Sequence, residues 1–251
     1  MVQIAIAEKL DDEMAQEYVR RRDRGQATTR YELSMLSVAL RWAVKQNLLE
    51  KAPEVWRPDA PDRQERHLSI GEFATWYQKV IAPHVRLYVE IAIATMARPT
   101  AILELKWTQI DWDHGTINLN PPGRRQTKKR RPIVPLDDET LILLEEAYKG
   151  AQSEYVIERG GKKLQSIKKA FQAASARSGI HVTPYTLRHT GAVWAAEQGT
   201  SMAELAQFMG HDDDRTTQKH YARFSPSYLR GVSSNLRAAR NKAADCKRSG
   251  A

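Results

Sequence analysis

The chain has 251 residues, of which 41% are hydrophobic and 27% charged, a composition that excludes a wholly disordered protein. No apolar run approaches the roughly 18 residues of a membrane span, the start MVQIAIAEKLDDEM meets two aspartates before a signal-peptide core can form, and the one cysteine, Cys246, excludes an internal disulfide scaffold and a Cys-based zinc finger and fits a reducing cytoplasm. Lys and Arg number 39 against 30 Asp and Glu, and the net charge of +9 points to a polyanionic partner, most often nucleic acid.

Residues 8–50 read as helical. Thr29 and Glu32 have the spacing of a capping box, which predicts a helix start at Thr29. Leu33, Leu36, Leu40 and Ala43 then recur on one helical face. Upstream, Arg20, Arg21 and Arg22 form a basic cluster suited to a phosphate backbone. Residues 1–60 therefore read as a small helical domain, and 61–66, with Pro61 and a charge run, as a linker. A second domain covers 67–235, followed by a basic tail over 236–251. In it, Ser69 and Glu72 resemble a helix start, and 84–96 is apolar on most sides, as in a buried helix. Pro99 suits the first turn of a helix running through Leu105. The period then changes to two: 107–120 predicts two short strands around Asp113-His114-Gly115, and 131–136 a third. Between them lies a loop or hairpin with Arg124, Arg125, Lys128, Lys129, Arg130 and Arg131. After Asp137 the chain reads as helix again. Ser201 and Glu204 form a second capping box, and Gly210 a C-terminal stop. The expected fold class is mainly α with a small antiparallel β-sheet. The six tryptophans are expected to be packing residues.

Three islands carry the chemistry: Thr95–Trp107 around Arg98; Thr183–Thr190 with Leu187-Arg188-His189-Thr190; and Phe208-Met209-Gly210-His211 followed by Lys219-His220-Tyr221-Ala222-Arg223. In this order they resemble the tyrosine recombinase family, also called phage integrases, over about 90–232. The resemblance implies that Tyr221 is a nucleophile forming a 3′-phosphotyrosine bond with DNA, that Arg98 and Arg188 hold the scissile phosphate, that Lys128 sits on the hairpin as a proton donor, and that His211 joins the site. It implies site-specific recombination of double-stranded DNA by a homotetramer, with accessory DNA-bending proteins, for integration or excision of a mobile element such as a prophage. No cofactor, metal or membrane is implied. The chemistry fits these residue types. Charge develops on non-bridging phosphate oxygens, which guanidinium forks match. A tyrosine, with a pKa near ~10, needs the arginine field or a base to lose its proton.

Two positions depart from the family's pattern. Tyr185 stands where the family usually has histidine; a phenol can still donate to phosphate but is a poor base. Ala101 stands where the family usually has an acid. Glu104, one helical turn on, is expected to substitute for it. Taken singly, Tyr221, Arg98, Arg188 and His211 read as packing, ion-pairing or capping residues, the hairpin charges as a solvated turn, and His189 as a structural hydrogen-bonder. The rival functions are a DNA-binding protein without strand exchange, favoured by Tyr185 and Ala101, and a supercoil-relaxing enzyme resembling type IB topoisomerases. An RNA-binding protein has less support, because no aromatic stacking motif of the usual kind is present.

Overall fold

A computed structural model describes residues 10–61, 66–127 and 129–237. The chain divides into two compact units, Met1–Gln64 and Glu65–Ala251. Its architecture is mainly α with small antiparallel sheets, as the sequence predicts.

The first unit contains α1 (Asp12–Arg21) and α2 (Gln26–Lys45). Asp11 caps α1 by accepting from the Met14 amide at 2.8 Å. Acidic residues fill its first turn and arginines its last, the arrangement the helix dipole favours. Helix α2 starts at Gln26, three residues before the expected capping box. Thr29 is fully buried inside the helix and donates to the Gln26 carbonyl. Glu32 turns to α1, accepting from the Tyr18 hydroxyl at 2.6 Å and from Arg22 at 2.8 Å. The Thr-x-x-Glu spacing is also a plain i,i+3 pair within a helix, and here that geometry prevails. Ala15, Leu33, Leu40, Leu49 and Val55 form the small core. A second stripe on α2, Tyr31, Met35, Val38 and Trp42, faces outward. Trp42 is 57% exposed and so is not the packing residue the sequence suggests.

The second unit opens with α3 (Ile70–Tyr77), whose Ser69–Glu72 capping box is complete, and α4 (Pro83–Thr95), buried on most sides. Helix α5 (Pro99–Leu103) has proline in its first turn and ends two residues before Leu105. The Leu105 amide closes a tight turn on the Ile102 carbonyl, and Lys106 pairs with Tyr155 in an isolated bridge. After a 3₁₀ turn (Trp107–Gln109) come β1 (Ile110–Asp111), β2 (Thr116–Asn118) and β3 (Ile133–Pro135), antiparallel in that order. Ile110 pairs with Ile117, and Ile117 with Val134, putting the three buried residues on one face.

Helix α6 (Asp138–Lys149) is capped by Asp137. A second hairpin follows, β4 (Glu158–Arg159) and β5 (Lys162–Lys163), turning at Gly160 and Gly161, both at positive φ. The sequence reading gave only helix here; two-residue strands are too short to show a period of two. The rest is helical: α7 (Lys168–Ser178), α8 (Pro184–Glu197), α9 (Met202–Met209), α10 (Asp214–Tyr221) and a 3₁₀ turn (Ala222–Phe224). Helix α4 packs against α6 and α8, and in the core Phe171 meets Trp76 at a tilt and Tyr88 edge-on. Thr190 and Trp194 of α8 bond the amide and carbonyl of Leu68, fixing the start of the unit.

Candidate active site

The site begins where α4 stops. Met96 ends that helix in the left-handed conformation, φ 47°, which non-glycine residues rarely adopt. The bend aims the Met96 carbonyl at α8, where it accepts from Nη1 of Arg188. It also carries the chain through Ala97 to Arg98, the N-cap of α5. Gly191 leaves room for the bend. A Cβ there would lie 2.9 Å from Met96 Cγ and 3.3 Å from the Ile93 carbonyl oxygen.

Arg188 is 6% exposed. Its Nη2 donates to the Met209 carbonyl at 2.9 Å and lies 3.2 Å from His211 Nε2. Burial, and then the charge of Arg98, lower its pKa to about 10, so the guanidinium is still charged at neutral pH. Arg98 is half-buried and bonds the Arg130 carbonyl at 2.6 Å and the Gly210 carbonyl at 3.5 Å. The two arginines thus hang from consecutive carbonyls of the turn that ends α9. Gly210 makes this possible: its φ is +68°, and a Cβ would lie 2.6 Å from the Arg130 oxygen and 2.8 Å from Pro132 Cδ. The stem of the basic hairpin rests directly on this turn, and Arg130 pairs with Asp212 across it at 2.8 Å.

His211 follows Gly210. Its Nδ1 is 2.7 Å from the buried Thr217 hydroxyl. Because Nε2 faces a guanidinium N–H, the ring proton is assigned to Nδ1, donated to Thr217. Burial, then Arg188 and Arg98, push the His211 pKa down to about 4, which keeps the ring neutral at pH 7. Tyr221, the last residue of α10, is 3% exposed, and its hydroxyl lies 2.6 Å from His189 Nδ1. The fold therefore brings Arg98, Arg188, His211 and Tyr221 together from three separated stretches of chain.

The remaining expectations divide. Tyr185, in the first turn of α8, is 57% exposed and within electrostatic reach of both arginines. Arg125, Lys129 and Arg130 are exposed on the hairpin, and Arg124 is tied to Asn120 at 2.8 Å. Lys128 lies outside the described residues. Arg131, placed among the DNA contacts from sequence, is corrected: it is 8% exposed and turned inward, pairing with Glu104 at 2.7 Å. Glu104 is corrected with it. It anchors the hairpin stem rather than Arg98, whose nearby carboxylate is Asp212. In the first unit, Arg20 and Arg21 share Glu17, and Arg22 pairs with Glu32, so each has an acidic partner. Arg22 and then Tyr18 lower the Glu32 pKa to about 2.

Sequence reasoning missed several contributors. Gln126 clasps the hairpin, bonding the Arg131 amide and carbonyl at 3.2 and 3.0 Å. Thr217 fixes His211. His189, read from sequence as a structural hydrogen-bonder, makes its bond to the tyrosine hydroxyl, a partner the sequence did not name. The adjacency of His189 to Arg188, and of His220 to Tyr221, was the available signal.

Residues 72–227 match the model described as the phage integrase family. The integrase of Salmonella phage P22 is 28% identical over 220 residues, covering 81% of this chain and 55% of the relative. The chain spans about half the length of the curated relatives it matches. The structure of the Tn1549 transposon integrase in complex with a circular intermediate DNA is similar with a TM-score of 0.71 at 14% identity, over 89% of this chain and 83% of that one. A lambda integrase tetramer bound to a Holliday junction gives 0.66 at 20% identity, over 83% and 62%.

Proposed function

Because the chain belongs to the phage integrase family, we propose that it cleaves and rejoins double-stranded DNA at specific sites through a covalent 3′-phosphotyrosine, with Tyr221 as nucleophile. The observation that carries this reading is the pair of guanidiniums held on the consecutive carbonyls of Met209 and Gly210, with Tyr221 packed into the same cluster as Met209 and Met96. Arg188 spends its hydrogen bonds on neutral acceptors, and among the described residues it touches no carboxylate that would cancel its charge. A phosphodiester fits as the counter-ion.

In the proposed reaction the Tyr221 oxygen attacks phosphorus and the bond to the 5′-oxygen breaks. Arg98 and Arg188 stabilise charge on the non-bridging oxygens, and Tyr185 donates a further hydrogen bond. The leaving 5′-oxygen takes a proton from a general acid, assigned to Lys128 on the family resemblance. Rejoining reverses these steps, and the phosphotyrosine conserves the bond so that no nucleotide cofactor is consumed. Arg124, Arg125, Lys129 and Arg130 would contact the DNA backbone, which positions the duplex without reading its sequence. Assembly as a tetramer on paired sites, and a role in moving a prophage or similar element, belong to the same proposal. They are supported by the likeness to the lambda tetramer and the phage P22 relative.

The test uses nicked duplexes tiled across the DNA flanking the gene. The nick releases a short fragment and traps any adduct. Wild type is expected to give a shifted band on a denaturing gel that Tyr221→Phe lacks. A duplex that is bound specifically yet yields no adduct would overturn the proposal in favour of a DNA-binding protein. Adduct formation and plasmid relaxation on DNA of any sequence would overturn it in favour of supercoil relaxation.

A further inference from the structure

We infer that His189 is the catalytic base that takes the proton from the Tyr221 hydroxyl, and the acid that returns it on rejoining. The inference rests on the reading of Tyr221 as the nucleophile. His189 Nδ1 lies 2.6 Å from that hydroxyl, inside the range a proton acceptor must reach. A phenol is a weak nucleophile at neutral pH until its proton is drawn off, and imidazole is the side chain whose ordinary pKa suits the task.

The other groups at the site are poorly placed for it. His211 has one ring nitrogen against the Arg188 guanidinium and its proton committed to Thr217. Tyr185 is itself a phenol, and Asp212 is paired with Arg130. Consecutive helical residues point about 100° apart. Helix α8 thus aims Arg188 into the turn after α9 and His189 at the end of α10. His67, Val193, His220, Arg223 and Phe224 line a small space of about 10 Å³ beside the pair. At 2.6 Å the two atoms are in direct hydrogen-bond contact, so the transfer needs no bridging water.

Among the described residues, the titratable and charged groups lining the space beside His189 are His67 from the segment before α3, His220 and Tyr221 on α10, and Arg223 on the following turn. The charge of Arg188, which interacts electrostatically with Tyr221, favours tyrosinate, and the arriving phosphodiester supplies the negative charge that favours imidazolium. The step balances. The Tyr221 O–H bond breaks as its oxygen bonds phosphorus, the proton goes to Nδ1 of His189, and the 5′-oxygen leaves with a proton from the separate general acid. In reverse, the 5′-hydroxyl attacks as its proton returns to the general acid, and departing Tyr221 recovers the proton from His189.

The experiment compares wild type, His189→Asn, His189→Ala and Tyr221→Phe on the duplexes that give the Tyr221 adduct. His189→Asn keeps an acceptor oxygen near the position of Nδ1 but takes up no proton at neutral pH. Its cleavage rate is expected to fall about 100-fold at pH 7 with DNA binding unchanged. The deficit should close as pH rises toward ~10, where tyrosine ionises unaided. Added imidazole should restore part of the His189→Ala rate, and Tyr221→Phe should give no adduct at any pH. In the free protein, the ¹⁵N resonance of His189 Nδ1 should report an accepted hydrogen bond that Tyr221→Phe abolishes. The inference is overturned if His189→Asn keeps the wild-type rate and pH profile, if its deficit is the same at every pH, or if the ¹⁵N signal ignores Tyr221→Phe. A Tyr221 adduct that does not depend on His189 refutes this inference alone. No adduct on specifically bound DNA refutes the nucleophile reading, and this inference falls with it.

Discussion

Replacing Gly210 by alanine tests how the site is held together. Gly210 is at φ +68°, and a Cβ there would lie 2.6 Å from the Arg130 carbonyl oxygen and 2.8 Å from Pro132 Cδ. Two costs follow. Left-handed backbone costs an alanine about 1–2 kcal/mol. Overpacking against main chain that cannot rotate away adds about 1–3 kcal/mol. To relieve the contact the hairpin stem must retreat until the 2.6 Å separation reaches the ordinary 3.4 Å. That movement draws the Arg130 carbonyl off Arg98, and a shift approaching 1 Å in a positioning group costs about 100-fold in rate. Gly179→Ala is the matched control, because Gly179 is at φ +72° with nothing within 4 Å of its Cβ. Both variants would be followed by thermal unfolding and by adduct formation on nicked duplexes. Gly179→Ala should lose stability through backbone strain and keep its cleavage rate, whereas Gly210→Ala should lose more stability and cleave about 100-fold more slowly. Equal stability losses with equal rates would refute the stem contact as the cause.

Other expectations follow from single contacts. Gly71, inside α3 with open space around it, should accept alanine with a gain of about 0.5–1 kcal/mol in chemical denaturation. Gly191→Ala must push on Met96 and the Ile93 carbonyl; it should destabilise by about 1–3 kcal/mol and weaken the hold on Arg188, read as slower adduct formation. His211 should titrate near pH 4 by NMR in the free protein. Its folded pKa lies below its unfolded value, so the unfolded chain binds the proton more readily as pH falls from about 6.5 to 4. Stability should decline across that window, and His211→Gln should flatten the slope. Glu104→Gln strands the buried Arg131 charge and should cost about 1–2 kcal/mol, less than a fully buried pair because Glu104 is partly solvated. A double-mutant cycle with Arg131→Met should show strong coupling; additivity would sink the ion-pair account.

Much of the local structure was legible because its signals are short-range. Pro99 opens a helix, Ser201 and Glu204 cap one, and Gly210 ends one, each through contacts within a turn. Thr29 and Glu32 misled because a capping box and a mid-helix pair share one spacing, and only the position of α1 tells them apart. The clustering of the candidate site was legible where side-chain identity suits the proposed chemistry, as at Arg98, Arg188, His211 and Tyr221, which the fold brings together. It was illegible where the partner is main chain or comes from far along the sequence. Nothing in the residue names at 96, 130 or 209 announces a carbonyl that receives a guanidinium. Arg131 shows the converse: a charge within a basic run reads as solvent-facing until the fold supplies Glu104, 27 residues away.

The acceptors that hold the two arginines belong mostly to peptide units, from Met96, Arg130, Met209 and Gly210. A peptide carbonyl is present whatever side chain the residue bears. Substitutions at 96, 130 and 209 therefore leave these acceptors in existence, and they loosen the hold on the two arginines only if they move the path of the backbone. The positions that govern this path are those where a side chain cannot fit, Gly191 and Gly210. Tolerance and intolerance in this site should thus be distributed unexpectedly: many of the atoms touching the arginines sit on replaceable residues, and the irreplaceable residues contribute empty space.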